Sequence, residues 1–96
     1  MRYRYIVCYD ISADHRRQRV YEVMRGYGQH VQYSVFVCDL DRQGKAELVR
    51  DLREKMNENE DRVMLCEVGA LGTARAEAFQ FLGRSGPDFG SGPMIV

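Results

Sequence analysis

The chain has 96 residues, 45% of them hydrophobic and 29% charged, and its fourteen basic groups balance fourteen acidic ones. That length supports one domain with a modest core, and chains of this size often gain stability by dimerising. No apolar run approaches the ~20 residues of a membrane span and no leader peptide is recognisable, so a cytoplasmic protein is the expectation.

The neutral total hides an asymmetry. Residues 1–50 carry nine basic against six acidic groups, and residues 51–96 carry five against eight. Phosphate attraction is local, so clustering matters more than the sum. Only Lys45 and Lys55 among the basic residues are lysine. Arginine's planar fork suits phosphate oxygens, although a GC-rich genome produces the same bias. The cysteines, Cys8, Cys38 and Cys66, match no zinc spacing, and an odd count argues against a disulfide framework. Each adjoins an apolar run, so they read as buried free thiols in a reduced compartment.

Residues 3–9 read as the first strand. Alternation puts Asp10 on the face shared by Ile6 and Cys8, at the strand's exit. There a carboxylate is held by the scaffold and still reaches a metal or substrate. The plain structural alternative is an acid that caps the following loop. Ser12 or Asp14 suits the cap of a helix, whose apolar stripe is Val20, Val23, Met24 and Tyr27 and whose end is marked by Gly26 and Gly28. Arg16, Arg17 and Arg19 occupy its first turns. They cannot all face one way, so one of the three is expected to be solvated or paired within the chain.

Residues 30–38 alternate cleanly and form either one bent strand or two short ones. Asp39-Leu40-Asp41 breaks the pattern and caps a second helix over 42–57, with Leu48, Leu52 and Met56 inward. Arg50–Glu54 and Asp51–Lys55 are its expected i, i+4 ion pairs. Residues 57–61 read as a loop, 62–68 as a strand, and 78–82 as a further strand. Residues 84–96 read as a Gly/Ser/Pro tether carrying an apolar terminal strand, Met94-Ile95-Val96, that docks on a partner's sheet; residues 1–83 form the core.

Two helices alternating with strands at this length suggest an α+β, ferredoxin-like sandwich: a mostly antiparallel sheet with both helices on one face. The first strand is apolar on both faces, and two helices cover only one. A homodimer with sheets packed face to face closes the other. His15 and His30 read as surface histidines. Tyr5, Tyr9 and Tyr33 read as packing residues, with base stacking the functional alternative.

The segments Tyr5-Ile6-Val7-Cys8-Tyr9-Asp10-Ile11-Ser12, Arg16/Arg17/Arg19, Gly26-Tyr27-Gly28 and Val31-Gln32-Tyr33-Ser34-Val35-Phe36 together resemble the small CRISPR-associated adaptation proteins of the Cas-two family, a family of metal-dependent endonucleases. The resemblance implies a homodimer in which Asp10 is the catalytic metal ligand for Mg2+ (or Mn2+), with the two copies facing each other. It implies nucleic-acid contact by the arginine cluster, and active-site support from Ser34 and Phe36. It also implies a partner, the Cas-one integrase, with which a dimer helps capture foreign duplex DNA; some members cut single-stranded RNA. A stand-alone toxin-like ribonuclease and a small-ligand regulatory domain are the competing readings.

Overall fold

The computed structural model describes residues 1–72 and 79–87. The elements run β1 (Tyr3–Asp10), α1 (Asp14–Arg25), β2 (Gln29–Gln32), β3 (Val35–Leu40), α2 (Arg42–Lys55) and β4 (Arg62–Ala70). The four strands form one sheet in the order β2-β3-β1-β4, every neighbour antiparallel. This is the expected α+β, ferredoxin-like arrangement. Among the described residues no helix is long and apolar enough to cross a membrane.

The core lies on one face of the sheet. Tyr5, Val7 and Tyr9 of β1 and Phe36, Cys38 and Leu40 of β3 pack against Val20 and Met24 of α1 and Leu48 and Leu52 of α2. Both helices therefore cover the same face. Tyr27, just past α1, donates its hydroxyl to Asp51 Oδ2 of α2 at 2.5 Å. That bond, to a carboxylate, pushes the Tyr27 phenol up to about 12. The expected Asp51–Lys55 and Arg50–Glu54 pairs do not form; Asp51 is taken by Tyr27, and Arg50 lies 3.6 Å from Asp51.

The segment 30–38 resolves into two strands because Tyr33 and Ser34 form a turn, with Ser34 in the left-handed region at φ 61°. A side chain bears a cost of ~1–3 kcal/mol there. The carbonyl of Ser34 accepts the Tyr9 amide at 3.0 Å, which ties the turn to the end of β1. The turn and the adjoining register shift between His30 and Gln32 reset the pattern, so Phe36 and Cys38 enter the core. Three other expectations are corrected. Asp39 is a strand residue, and Asp41 caps α2 by accepting the Gly44 amide at 2.7 Å. Residues 79–82 form no strand; β4 runs on to Ala70 instead. Only Cys38 is a buried thiol, whose pKa burial pushes up to about 12, whereas Cys8 is half-buried and Cys66 exposed.

The face away from the helices is divided. At the start of β1, Arg4 lies opposite Asp39 and holds it through two bonds, Nε–Oδ1 at 2.9 Å and Nη2–Oδ2 at 3.1 Å. Both residues are buried, as is the neighbouring Val37. Towards the Asp10 end the face opens: Ile6, Cys8 and Val35 are half-buried, and Met64 and Cys66 are exposed. Phe81, Leu82 and residues 84–87 share a cavity with Val31 and Gln32 of β2. Met94, Ile95 and Val96, and most of the tether, lie outside the described residues.

Gly28 is the tightest point of the helix-to-strand connection. A Cβ there would lie 2.4 Å from Cys38 Sγ and 2.5 Å from the Val37 carbonyl oxygen. Gly28→Ala should therefore destabilise the fold by ~1–3 kcal/mol through overpacking. Thermal unfolding of the variant should show a melting temperature lower by at least ~4 °C. An unchanged melting temperature would show that the connection relaxes freely.

Candidate functional site

The loop leaving β1 is fastened by one residue of the α2–β4 connection, Asp61. Its carboxylate accepts the Ser12 amide at 3.1 Å, the Ser12 hydroxyl at 3.2 Å and the Asn57 amide at 2.8 Å. Arg16 approaches the same carboxylate with Nε at 2.8 Å and Nη2 at 3.2 Å. The Asp61 side chain is fully buried. The Arg16 hydrogen bonds, followed by the backbone amides of Asn57 and Ser12, outweigh burial and hold Asp61 well below the usual carboxylate range. Asp61 thus performs the loop-capping role that the sequence offered to Asp10.

Asp10 is exposed, and among the described residues its side chain makes no hydrogen bond or ion pair. Its position is nonetheless fixed: it sits opposite Arg62 in the sheet register, at the last residue of β1. It projects on the face of Ile6 and Cys8, where the sheet is open. Among the described residues no three His, Cys, Asp or Glu side chains gather as metal ligands. Among the described residues Asp10 is thus a lone hard oxygen donor, whereas magnesium takes one or two carboxylates together with waters and phosphate oxygens.

The three arginines divide by environment. Arg16 is the one consumed within the chain: besides Asp61 it donates to Ser12 Oγ at 3.0 Å and lies 3.6 Å from Glu60. Arg17 directs both terminal nitrogens to Asp14 Oδ1 at 2.8 Å, an open i, i+3 pair of which Asp14 is 96% exposed. Such pairs are worth little in water and yield readily to a phosphate. Arg19 is exposed and forms no ion pair among the described residues. The expected side-chain caps of α1 are absent. Ala13 occupies the cap, Ser12 is engaged with Asp61, and Asp14 serves Arg17 from the first turn.

Behind Arg17 the sheet presents aromatic rings. Phe36 is completely buried and is the hub: His30 stacks on it at 4.8 Å, Tyr21 meets it edge-on at 5.7 Å, and Tyr9 lies at 6.3 Å. Ser34 adjoins them from the β2–β3 turn. Ser34 and Phe36 thus stand on the helix-covered side, Ser34 lining one cavity with Arg17, while Asp10 projects to the other face of the same sheet end. Sequence reasoning missed Asp61 and Tyr21. Tyr21 carried a readable sign, lying one helical turn beyond Arg17. Asp61 carried none, since nothing in a five-residue polar loop marks which acid turns inward.

Residues 1–74 match the family described as CRISPR associated protein Cas2. A CRISPR-associated endoribonuclease Cas2 of Synechocystis is 44% identical over 57 residues, 59% of this chain and 62% of that protein, so the match spans less than two thirds of the relative. A solved hypothetical protein from Thermus thermophilus superposes with a TM-score of 0.77 at 31% identity, covering 91% of this chain and 96% of its own. Streptococcus pyogenes Cas2 superposes with a TM-score of 0.71 at 25% identity, covering 83% and 99%.

The Asp61 anchor has a definite pH signature. Its folded pKa lies below the ~3.9 of an unfolded chain, so its stabilisation is complete above that value. Below it the unfolded state binds the extra proton, and the contribution drains away as pH falls towards the folded pKa. Asp61→Asn should lower stability at pH 7 by ~2–3 kcal/mol, the scale of hydrogen bonds to a charged group. The gap between variant and parent, read by urea unfolding, should narrow steadily below pH ~4. A gap that is constant from pH 7 to pH 3 would contradict this role.

Proposed function

The chain belongs to the Cas2 family of CRISPR-associated proteins, and from that premise we propose that two copies form a nucleic-acid-binding scaffold for the capture of foreign DNA, acting with the Cas-one integrase. The observation that carries the reading is an exposed Asp10 at the last residue of β1, with no side-chain partner among the described residues, followed within the next helix by the lightly held Arg17 and the exposed Arg19. A carboxylate left uncompensated at one face of the sheet end, with cations that can be given up to phosphate in the helix that follows, suits a site where a cation and a polyanion meet. The dimer is supported by the open apolar half of the sheet, Ile6, Cys8, Val35, Met64 and Cys66. Pairing two such faces would bring the two Asp10 carboxylates towards a common axis and bury the thiol of Cys66.

The same site supports metal-dependent phosphodiester cleavage, the activity named for the Synechocystis relative. Asp10 from each copy would hold a divalent cation, which when bound neutralises the charge developing on the phosphate. Arg17 and Arg19 would hold the strand by its phosphates. Arg16 stays with Asp61 and contributes by fixing the loop.

Phosphate-led binding weakens steeply with salt. The affinity for duplex DNA should fall with rising salt, and the Arg17→Ala/Arg19→Ala double variant should lower the log–log slope by about two for each engaged protomer. Binding that is indifferent to salt, or a slope unchanged in the double variant, contradicts this part of the reading.

Asp10→Asn keeps the shape and removes the charge. Cleavage by the parent should require a divalent cation and should be lost in the variant. Dimerisation, measured by light scattering, and DNA affinity in EDTA should be retained. Persistence of cleavage in the variant would remove Asp10 from the chemistry.

A further inference from the structure

The exposed side of α2 carries an open concavity of about 680 Å³, lined by residues of this helix alone. Arg42, Lys45, Arg50 and Arg53 bring four cations to it, and Glu54 is the single acid of the lining. Ala46 and Val49 lie between the cations. The helix meets the core through other residues, Leu48 and Leu52. Neither Asp10 nor the arginines of α1 take part in this surface.

The order of these residues along the helix is specific. Arg42, Ala46, Val49 and Arg53 follow one another at steps of four, three and four. That is the spacing of a seam along which one helix packs on another. Lys45 and Arg50 occupy the positions that flank such a seam, where charge selects the partner. Both flanks are positive. At ~1.5 Å per residue the stripe from Arg42 to Arg53 is ~16 Å long, about three helical turns. Its cations are weakly committed. Arg42 is exposed and forms no ion pair among the described residues. Lys45 stands over the Tyr5 ring, 5.2 Å from its centroid, which positions the ammonium without using a carboxylate. Arg50 lies 3.6 Å from Asp51 and Arg53 lies 3.4 Å from Glu58, both guanidinium groups being mostly exposed. Open pairs of this kind contribute little and yield to a partner that also excludes water.

We propose that this stripe of α2 docks an acidic amphipathic helix of a protein partner. Apolar residues of that helix would rest on Ala46 and Val49, and its carboxylates would meet Lys45 and Arg50 on the flanks and Arg42 and Arg53 at the ends. The small side chain of Ala46 lets the partner's backbone approach closely. Charge complementarity selects this occupant over the others. A second copy of α2 would set Lys45 and Arg50 against like charges, which oppose pairing. A phosphate backbone would satisfy the cations and leave Ala46 and Val49 unused, because phosphate contacts are polar. Only an acidic helix with an apolar seam uses both parts of the stripe. The proposal is independent of the nucleic-acid reading above and adds a protein partner on a different element.

The test uses the whole chain and labelled helical peptides of three heptads. One has Leu and Ala along the seam and Glu on both flanks. A second keeps the Glu flanks and carries Gln along the seam, and a third keeps the apolar seam and carries Lys flanks. Fluorescence anisotropy at fixed salt should show the first peptide binding at least about tenfold more tightly than either of the others. Lys45→Glu/Arg50→Glu should invert the preference, so that the Lys-flanked peptide binds and the Glu-flanked one does not. Arg50→Glu alone should move in the same direction. Val49→Gln, which leaves every charge in place, should weaken the first peptide and leave duplex DNA affinity unchanged. Equal binding of the Glu-flanked and Lys-flanked peptides, or a preference untouched by charge reversal, would overturn the proposal. A fall in duplex affinity on charge reversal as large as the fall for the peptide would assign the stripe to nucleic acid and overturn it as well.

Discussion

The arrangement of this protein depends on the bond between Arg16 and Asp61. A buried carboxylate must be fully paired or it destabilises the fold, and Asp61 is paired on every side: by a guanidinium, a hydroxyl and two backbone amides. Those partners come from the β1–α1 loop and from the α2–β4 connection. One side chain therefore ties the end of β1 and the start of α1 to the connection by which α2 returns to the sheet. Because Asp61 does this, Asp10 need not. Among the described residues the strand-end acid has no side-chain partner, while its backbone pairs with Arg62 of β4 and the strand beneath it pairs with β3 as far as Cys8.

The same economy of roles extends to the arginines. Three cations within four positions look equivalent in sequence, yet their surroundings separate them. Arg16 is structural, Arg17 is lightly held and Arg19 is free among the described residues. The lightly held and the free ones are those an incoming phosphate can recruit without opening the fold. On the other side of the sheet end, the buried Arg4–Asp39 pair closes half of the face and leaves the half nearest Asp10 exposed. Any partner that seats there meets an apolar surface bordered by the carboxylate. This couples association to the chemistry that Asp10 is proposed to perform.

Much of this could be read from the residues. The order of elements, the core stripe of α1, the inward leucines of α2 and the position of Asp10 all follow from periodicity, which reports local geometry directly. The division of 30–38 into two strands was left open because its turn uses Tyr33 and Ser34, with neither glycine nor asparagine at the left-handed position. Tertiary contacts, chiefly the bond from the Tyr9 amide to the Ser34 carbonyl, hold a conformation that local propensity would not select. The expected Asp51–Lys55 pair on α2 gave way to Tyr27 for the same reason. A long-range phenol outcompeted a neighbour four residues away. Asp61 was invisible because burial of an acid is decided by residues 45 and 49 positions distant, and no local pattern encodes that.

If two copies share a cation through Asp10, anomalous diffraction from crystals of the protein grown with Mn2+ will reveal it. A single manganese peak is expected on the two-fold axis between the Asp10 carboxylates of two chains packed through Ile6, Cys8 and Met64. A dimer whose Asp10 carboxylates point away from each other, with manganese bound elsewhere, would contradict it.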